Sequence, residues 1–120
     1  MKWYLAKLVY QVICGEGKHT PQFNEQLRLV AAVNYKDALH KSKAMGENES
    51  DTFYNHNSEL VQWQFVNVSE LYKLSDLIDG IELYSTINEV DNAEAYTNFV
   101  HEKAGMLQLH HQSRQLLNLI

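Results

Sequence analysis

The clearest alternation of apolar and polar residues lies in the stretch from Leu60 to Ser85. Its first part, Val61–Phe65, alternates with period two, as a strand with one buried face does. The phase then slips by one residue, because the next apolar residues, Val66 and Val68, occupy even positions. Such a slip would turn the apolar set to the opposite face of the sheet, so the sequence predicts a β-bulge or sharp bend near Phe65–Asn67.

The even parity continues at Tyr72 and Leu74, which are therefore predicted to share a face with Val68. Asp79-Gly80 is a good start for a turn, and a short strand, Ile81–Ser85, is predicted after it. This strand would place Ile81 and Leu83 on one face, and Glu82 and Tyr84 on the other.

Two strands are predicted at the start of the chain. Trp3–Ile13 carries apolar residues on both faces, which is typical of a central strand. Gln26–Val33 alternates with period two. Residues 14–21 between them contain glycines, the proline and several polar residues, so they are predicted to form a loop. The two strands are expected to pair antiparallel.

A helix follows these strands. Asn34 is its predicted N-cap, and Asp37 lies in the first turn, where the helix dipole favours a carboxylate. Gly46 is its predicted end. Helical spacing gives it one buried stripe, formed by Tyr35, Ala38, Leu39, Ser42 and Met45. A short strand, Thr52–Tyr54, and a turn at His56–Ser58 are predicted after it.

The last predicted helix begins with Asp91 as its cap and carries two apolar stripes. The first stripe is Ala93, Tyr96, Val100, Ala104 and Leu107, and the second is Met106, Leu109, Ser113, Leu116, Leu117 and Ile120. The stripes lie roughly 160° apart on a straight helix that turns about 100° per residue, so one small core cannot bury both. The helix therefore either kinks near Gly105 or packs its C-terminal half on another surface, such as a second copy of the chain.

Together these elements predict an α+β fold. It is a bent antiparallel sheet of four to five strands with two helices packed on one face, in the order ββα-βββ-α. The 120 residues correspond to one domain, in which residues 105–120 form a C-terminal helical extension for oligomerisation. The expected contacts of a homodimer are Met106, Leu109, Leu116, Leu117 and Ile120.

Composition argues against several classes of partner. The net charge is −5 and no basic patch is visible, which argues against nucleic acid. No run approaches the roughly 18 apolar residues of a membrane span. The single cysteine excludes an internal disulfide and fits a reducing compartment. Without a signal-peptide pattern, the expected location is the cytoplasm.

The sequence shows no convergent catalytic or metal-binding set. Gly17-Lys18-His19-Thr20 lacks both the earlier glycine of a phosphate-binding loop and the hydroxyl residue directly after its lysine. The histidines of the last helix have no i, i+4 pair, which argues against zinc. Cys14 is expected to be a buried apolar residue rather than a nucleophile. No catalytic residue, metal or cofactor is therefore predicted.

Lys7 and Glu82 are charged residues that occur among apolar and aromatic neighbours on predicted strands. If those strands are adjacent, the two residues can form a partly buried ion pair flanked by Tyr4, Trp63 and Tyr84. These five residues are the candidate pocket. The alternative is a cross-strand pair on a solvated face, worth about 0.2–1 kcal/mol.

Four fragments of the chain occur in a recognisable order. They are Trp3-Tyr4-x-Ala6-Lys7-Leu8, Tyr54-Asn55, Val61-x-Trp63-x-Phe65-x-x-Val68 with Tyr72, and Gly80-x-Glu82-x-Tyr84-Ser85. Together they resemble a bacterial family catalogued as a domain of unknown function, number 4288, over residues 3–85. The chain departs from the family after Asn55, where a glycine is usual and Asn57-Ser58 stands here.

This resemblance implies a small bacterial cytoplasmic protein and supplies no activity, because the family has no established one. It also implies that six residues form a family pattern, compatible with either a core or a pocket: Trp3, Tyr4, Lys7, Trp63, Glu82 and Tyr84.

Three hypotheses about function follow. The first is a non-enzymatic binding or interaction module that forms a homodimer through the last helix and can bind another protein. The second is a small-molecule or enzymatic site on the aromatic sheet face around Lys7, Glu82 and Tyr84. The third is an antitoxin-like inhibitor of a basic protein partner, suggested by the size of the chain and its acidic second half.

Overall fold

The computed structural model describes the backbone of residues 1–118 and the side chains of residues 1–112. The elements in chain order are β1 (Lys2–Cys14), β2 (Gln22–Ala32), α1 (Tyr35–Asn48), β3 (Asp51–Tyr54), β4 (Leu60–Lys73) and α2 (Ala93–Asn118). The four strands form one antiparallel sheet in the order β2-β1-β4-β3. The predicted α+β fold with a bent antiparallel sheet is confirmed.

The chain divides into two compact units, Met1–Tyr84 and Ser85–Ile120. The first unit contains the sheet and α1, and the second contains α2. The boundary between them comes before residue 105, the expected start of the C-terminal extension.

The core of the first unit lies between α1 and one face of the sheet, which we call the α1 face. The even-numbered residues of β1 form its centre, since Tyr4, Ala6, Leu8 and Tyr10 are almost fully buried. Tyr10 also donates a hydrogen bond from its hydroxyl to the Gly46 carbonyl in α1, at 3.1 Å. The strand is buried on this face because it lies in the middle of the sheet, as its apolar sequence predicts.

The predicted cap of α1 is confirmed. Asn34 Oδ1 accepts a hydrogen bond from the Asp37 backbone N–H at 2.8 Å, and Asp37 Oδ2 accepts one from the Val33 N–H at 3.1 Å. The prediction that the helix ends at Gly46 is wrong, because α1 continues to Asn48. Gly46 is instead a buried position where the helix backbone lies against the Phe65 ring.

The predicted bulge in β4 is confirmed by the pairing of β4 with β1. Val9 pairs with Asn67, but the next residue, Tyr10, pairs with Phe65, so Val66 is the extra residue. This extra residue keeps Phe65 and Val68 on the same face in spite of the change of parity, and both pack against the core of the α1 face.

A second bulge, which the sequence pattern did not indicate to us, follows at Ser69. Lys7 pairs with Glu70, whereas Leu8 pairs with Val68. The parity therefore changes again, and Tyr72 pairs with Leu5 on the opposite face of the sheet. The prediction that Tyr72 shares a face with Val68 is wrong for this reason.

We call this opposite side of the sheet the Lys7 face, defined by Leu5, Lys7, Leu27, Leu29, Glu70 and Tyr72. The predicted turn at Asp79-Gly80 forms, and Gly80 adopts a positive φ of 84°. The fifth strand predicted after it, Ile81–Ser85, does not form. Tyr84 instead turns its ring toward Tyr72, at a centroid distance of 6.1 Å.

The predicted turn at His56–Ser58 joins β3 to β4. The Ser58 N–H donates to the Asn55 carbonyl at 3.0 Å, and the Asn55 side chain accepts from the Asn57 and Glu59 N–H groups. Ser58 has a positive φ of 62°, the left-handed conformation that glycine adopts most easily. The turn therefore keeps a glycine-like geometry with serine at that position.

In the second unit, α2 runs unbroken through Gly105. Its first turn is capped by Asn92, whose Oδ1 accepts a hydrogen bond from the Ala95 N–H at 3.0 Å, so the prediction of Asp91 as the cap is wrong by one residue. Among the residues whose side chains are described, the first stripe is complete and the second is represented by Met106 and Leu109; the rest of the second stripe lies outside the described side chains.

Candidate functional site

The most polar cluster on the inner strands of the sheet is centred on Lys7. Its Nζ lies 3.0 Å from Glu70 Oε2, and the two side chains are 20% and 30% exposed. Glu70 Oε2 is buried, and within the described part of the chain it has no well-aligned hydrogen-bond donor. The contact with Lys7 is therefore a close ion pair, and because a carboxylate has several lone pairs, Glu70 can accept a further donor.

Two tyrosines complete this cluster. Lys7 Nζ lies 5.5 Å from the centroid of the Tyr84 ring, within the range of a cation–π interaction. The rings of Tyr72 and Tyr84 are 6.1 Å apart at 65°, close to an edge-to-face arrangement. We call Lys7, Glu70, Tyr72 and Tyr84 the Lys7 cluster.

Contacts within the Lys7 cluster, together with burial, raise the pKa values of two of its members. The direct contact with Glu70 raises the pKa of the Lys7 ammonium above its ordinary value, although burial opposes this effect. Burial, and then the negative charge of Glu70, raise the pKa of the Tyr72 hydroxyl. At neutral pH Lys7 is therefore a cation and Tyr72 a neutral phenol.

The structure separates the five residues of the predicted pocket. Tyr4 is 2% exposed and packs with Ala32 and Ala38 on the α1 face. Trp63 lies on the same face, with its ring 6.2 Å from that of Tyr10. Lys7 and Tyr84 come together on the Lys7 face, so they share no pocket with the other two aromatic residues.

The predicted ion pair between Lys7 and Glu82 is replaced by one between Lys7 and Glu70. Glu82 is exposed and follows the Gly80 turn in a segment without strand pairing. Glu70 reaches Lys7 because the bulge at Ser69 turns it to that face. The signal for this in the sequence is the three-residue step between the apolar residues Val68 and Leu71, which breaks the alternation a second time.

A surface cavity of about 540 Å³ lies at the β1–β2 loop, lined by Cys14, Gly15, Glu16, Lys18, His19, Gln22 and Glu59. His19 Nε2 accepts a hydrogen bond from the Cys14 backbone N–H at 3.0 Å, and Nδ1 lies 2.8 Å from the Thr20 carbonyl. Both ring nitrogens are therefore engaged with the backbone. His19 therefore links the two ends of the β1–β2 loop through backbone contacts. In this arrangement neither ring nitrogen is free to act as a base toward the Cys14 thiol.

The apolar side chains of α2 in the described range are exposed. Met106 and Leu109, two residues of the predicted oligomer contact, are 66% and 63% exposed, and Leu107 of the first stripe is 74% exposed. The other three residues of that contact, Leu116, Leu117 and Ile120, lie outside the residues whose side chains are described.

Neither a metal-binding group nor a membrane-spanning helix is found among the described residues. Among them, no three histidine, cysteine, aspartate or glutamate side chains form a group that could hold a metal ion. None of the described helices combines the length and the apolar character needed to cross a bilayer.

Comparison with the curated proteins and with the solved structures gave no significant match. A model of the family described as a domain of unknown function, DUF4288, matches residues 3–85. This match spans the whole sheet, α1 and the Lys7 cluster, and ends one residue past the boundary of the first compact unit. The chain is therefore a member of the DUF4288 family.

Proposed function

We propose that this protein is a non-enzymatic interaction module of the bacterial cytoplasm that associates with a second copy of itself through α2. The observation that carries the proposal is the row of exposed apolar side chains on α2. The cytoplasmic location rests on the family resemblance and on the single cysteine of the chain.

An isolated helix in water is only marginally stable, so α2 needs another surface against which to pack. With 26 residues, α2 is about 39 Å long at 1.5 Å per residue. Its first stripe places Tyr96, Val100 and Leu107 on one side, and Met106 and Leu109 extend the apolar surface around the helix. This apolar surface is wider than the single stripe that one helix–helix contact buries, which supports contacts of α2 with more than one neighbouring helix.

A second copy supplies the same surface, and a two-fold axis lets each α2 bury its stripe against the other. Lys103 lies beside this stripe, and its Nζ is 4.7 Å from the centroid of the Phe99 ring on the same helix. This cation–π contact folds the lysine along the helix and leaves the adjacent apolar surface open to a partner.

The test is light scattering of the full chain and of two variants that differ only in which side of α2 receives added negative charge. We expect Val100→Glu/Leu107→Glu to lower the mass of the particle, because charge in an apolar contact is strongly unfavourable. Gln108→Glu adds charge on a side of the helix that carries neither stripe and should leave the mass unchanged. Equal masses for all three proteins would refute the role of α2.

A second candidate function is favoured by the Lys7 cluster. Its buried Glu70 oxygen is paired with the Lys7 ammonium at 3.0 Å, and Tyr72 and Tyr84 are partly exposed beside this pair. A free aromatic amino acid matches this chemistry, because its ammonium can donate to Glu70, its carboxylate can pair with Lys7, and its ring can pack on the tyrosines.

We would test this candidate with L-phenylalanine, by following the amide NMR signals of the full chain. Binding predicts shifts around the Lys7 cluster that disappear in Glu70→Gln and persist in Glu82→Gln. The absence of shifts at millimolar ligand would exclude this class of ligand from the cluster.

A further inference from the structure

The two edges of the sheet differ in how they are protected. At one edge, β3 has four residues and pairs only with the first part of β4, after which β4 carries its two bulges. Short edge strands and bulges prevent another strand from adding to a sheet. At the other edge, β2 has eleven residues, Gln22–Ala32, and its pairing with β1 has no register shift. The edge formed by β2 is therefore long, regular and open.

The hydrogen-bonding pattern shows which backbone groups of β2 point outward. The Gly15 N–H donates to the Leu60 carbonyl, on the side of β4. The backbone N–H and C=O groups of odd-numbered residues in β1 therefore point toward β4. Because these groups alternate in direction along a strand, those of the even-numbered residues point toward β2, where they bond to even-numbered residues of β2. The odd-numbered residues of β2 therefore face away from the sheet. The Ala31 carbonyl agrees with this direction, because it accepts a hydrogen bond from Lys41 Nζ in α1 at 2.9 Å.

The side chains of these outward residues are mainly apolar and half-exposed. Phe23, Leu27 and Leu29 are 57%, 48% and 44% exposed. Lysine and proline, which commonly protect edges, are absent from the eleven residues of β2. Apart from the Ala31 carbonyl, which accepts from Lys41, this edge combines outward backbone donors and acceptors with apolar side chains on the Lys7 face, which is the combination that a further strand recognises.

We propose that β2 pairs antiparallel with β2 of a second copy across a two-fold axis, joining two four-stranded sheets into one sheet of eight strands. A second copy is the favoured occupant because an antiparallel edge is complementary to itself, so one surface provides both halves of the contact. Charge then limits the register. Pairing Glu25 with its own copy, or Arg28 with its own copy, places like charges opposite each other. The two registers between them, centred on Gln26 and on Leu27, avoid both repulsions.

These two registers also place apolar residues together. In the register centred on Gln26, Phe23 lies opposite Leu29 of the second copy, and Glu25 lies opposite Leu27. Odd residues then face odd residues, so the Lys7 faces of both copies lie on the same side of the joined sheet. This contact is separate from the one proposed for α2. A chain that uses both two-fold contacts assembles beyond a dimer.

The experiment combines one change at each contact, with light scattering of the full-length chain at roughly 100 μM, well above the Kd of a specific contact. In the Val100→Glu/Leu107→Glu protein, we expect a dimer held by β2. Adding Glu25→Pro should convert this dimer to a monomer, because proline removes an outward N–H that β1 does not use. Adding Glu25→Ala instead keeps that N–H and should leave the dimer intact. Leu29→Lys should also give a monomer, and it covers the case in which the proline variant fails to fold.

Amide exchange gives a second measurement on the same proteins. In the dimer held by β2, the amides of Phe23 and Leu27 should exchange slowly although they have no partner within their own chain, and Leu29→Lys should make them fast. A Val100→Glu/Leu107→Glu protein that is already monomeric would overturn this proposal and point to a strand of a different protein as the occupant. A monomeric Glu25→Pro protein with α2 intact would instead refute the α2 contact and leave the β2 contact standing.

Discussion

Replacing Gly46 by alanine tests the packing of α1 on the sheet. Gly46 lies in the helix, where alanine is ordinarily the better residue by about 1 kcal/mol. An added Cβ would, however, overlap three ring atoms of Phe65, namely Cε1, Cδ1 and Cζ. The Phe65 ring also packs beside the buried Tyr10 ring, with the two ring centroids 5.5 Å apart, which limits its freedom to move. The helix must therefore move away from the sheet or the ring must leave its position.

The magnitude follows from three contributions. Overpacking a core by one methyl group costs about 1–3 kcal/mol. A shift of the helix also weakens the hydrogen bond from the Tyr10 hydroxyl to the Gly46 carbonyl, worth about 0.5–1.5 kcal/mol. The gain in helix propensity offsets about 1 kcal/mol of this loss. We expect a net loss of roughly 1–3 kcal/mol in the free energy of unfolding, or about 4–24 °C in Tm for a unit of this size.

Urea denaturation followed by circular dichroism measures this loss. Gly105→Ala in α2 is the matched control, because nothing lies within 4 Å of its added Cβ and the same substitution should there raise helix stability. Phe65→Leu gives a second control, since a smaller side chain should make Gly46→Ala less harmful than it is alone. A Gly46→Ala protein at least as stable as the parent chain would refute the close contact between α1 and Phe65.

Two further predictions concern titration. Glu70→Gln should lower the pKa of Tyr72 by removing a nearby negative charge, whereas Glu82→Gln should not, and both effects can be read from the NMR signals of labelled tyrosine rings during alkaline titration. The pKa values of Lys7, Tyr72 and Tyr10 are all raised, so the folded chain binds more protons than the unfolded chain at alkaline pH. Stability should therefore be full at neutral pH and fall as the pH rises above the ordinary pKa values of tyrosine and lysine, 10.0 and 10.5. Denaturant midpoints that stay constant as the pH is raised past these values would contradict the assignment.

Most of the fold could be predicted from the sequence, because its signals are local and strong. Alternation marked the strands, Asn34 marked the start of α1, and the slip after Phe65 marked the first bulge. The end of α1 was mispredicted because a glycine near the end of a helix pattern usually marks its C-terminus. Here the glycine is needed for the approach of Phe65, a residue distant in sequence.

The candidate site was harder to predict, because it depends on which face each residue occupies. Lys7 and Tyr84 were two of the five residues of the predicted pocket, and in the structure Lys7 Nζ lies 5.5 Å from the centroid of the Tyr84 ring. Glu82 was predicted as the ion-pair partner of Lys7, but the partner is Glu70. Glu70 lies on the Lys7 face only because a bulge at Ser69 changes the parity of β4. An error of one residue in register transfers every later side chain to the other face, so one missed bulge was enough to misplace Glu70 and Tyr72 together.

The bulges of β4 have two consequences that follow from the same distortion. They direct Glu70 and Tyr72 toward Lys7, and they interrupt the outer edge of β4 beyond the short β3. Strand addition is therefore disfavoured on the side of the sheet nearer the Lys7 cluster. The regular register of β1 with β2 leaves the opposite edge, with Phe23 and Leu27, as the one that can accept a strand. If a substitution removed the bulge at Ser69, Ser69 would pair with Lys7 and Glu70 would move to the α1 face, away from Lys7. The same change would make the outer edge of β4 more regular, so loss of the ion pair and new self-association should appear together.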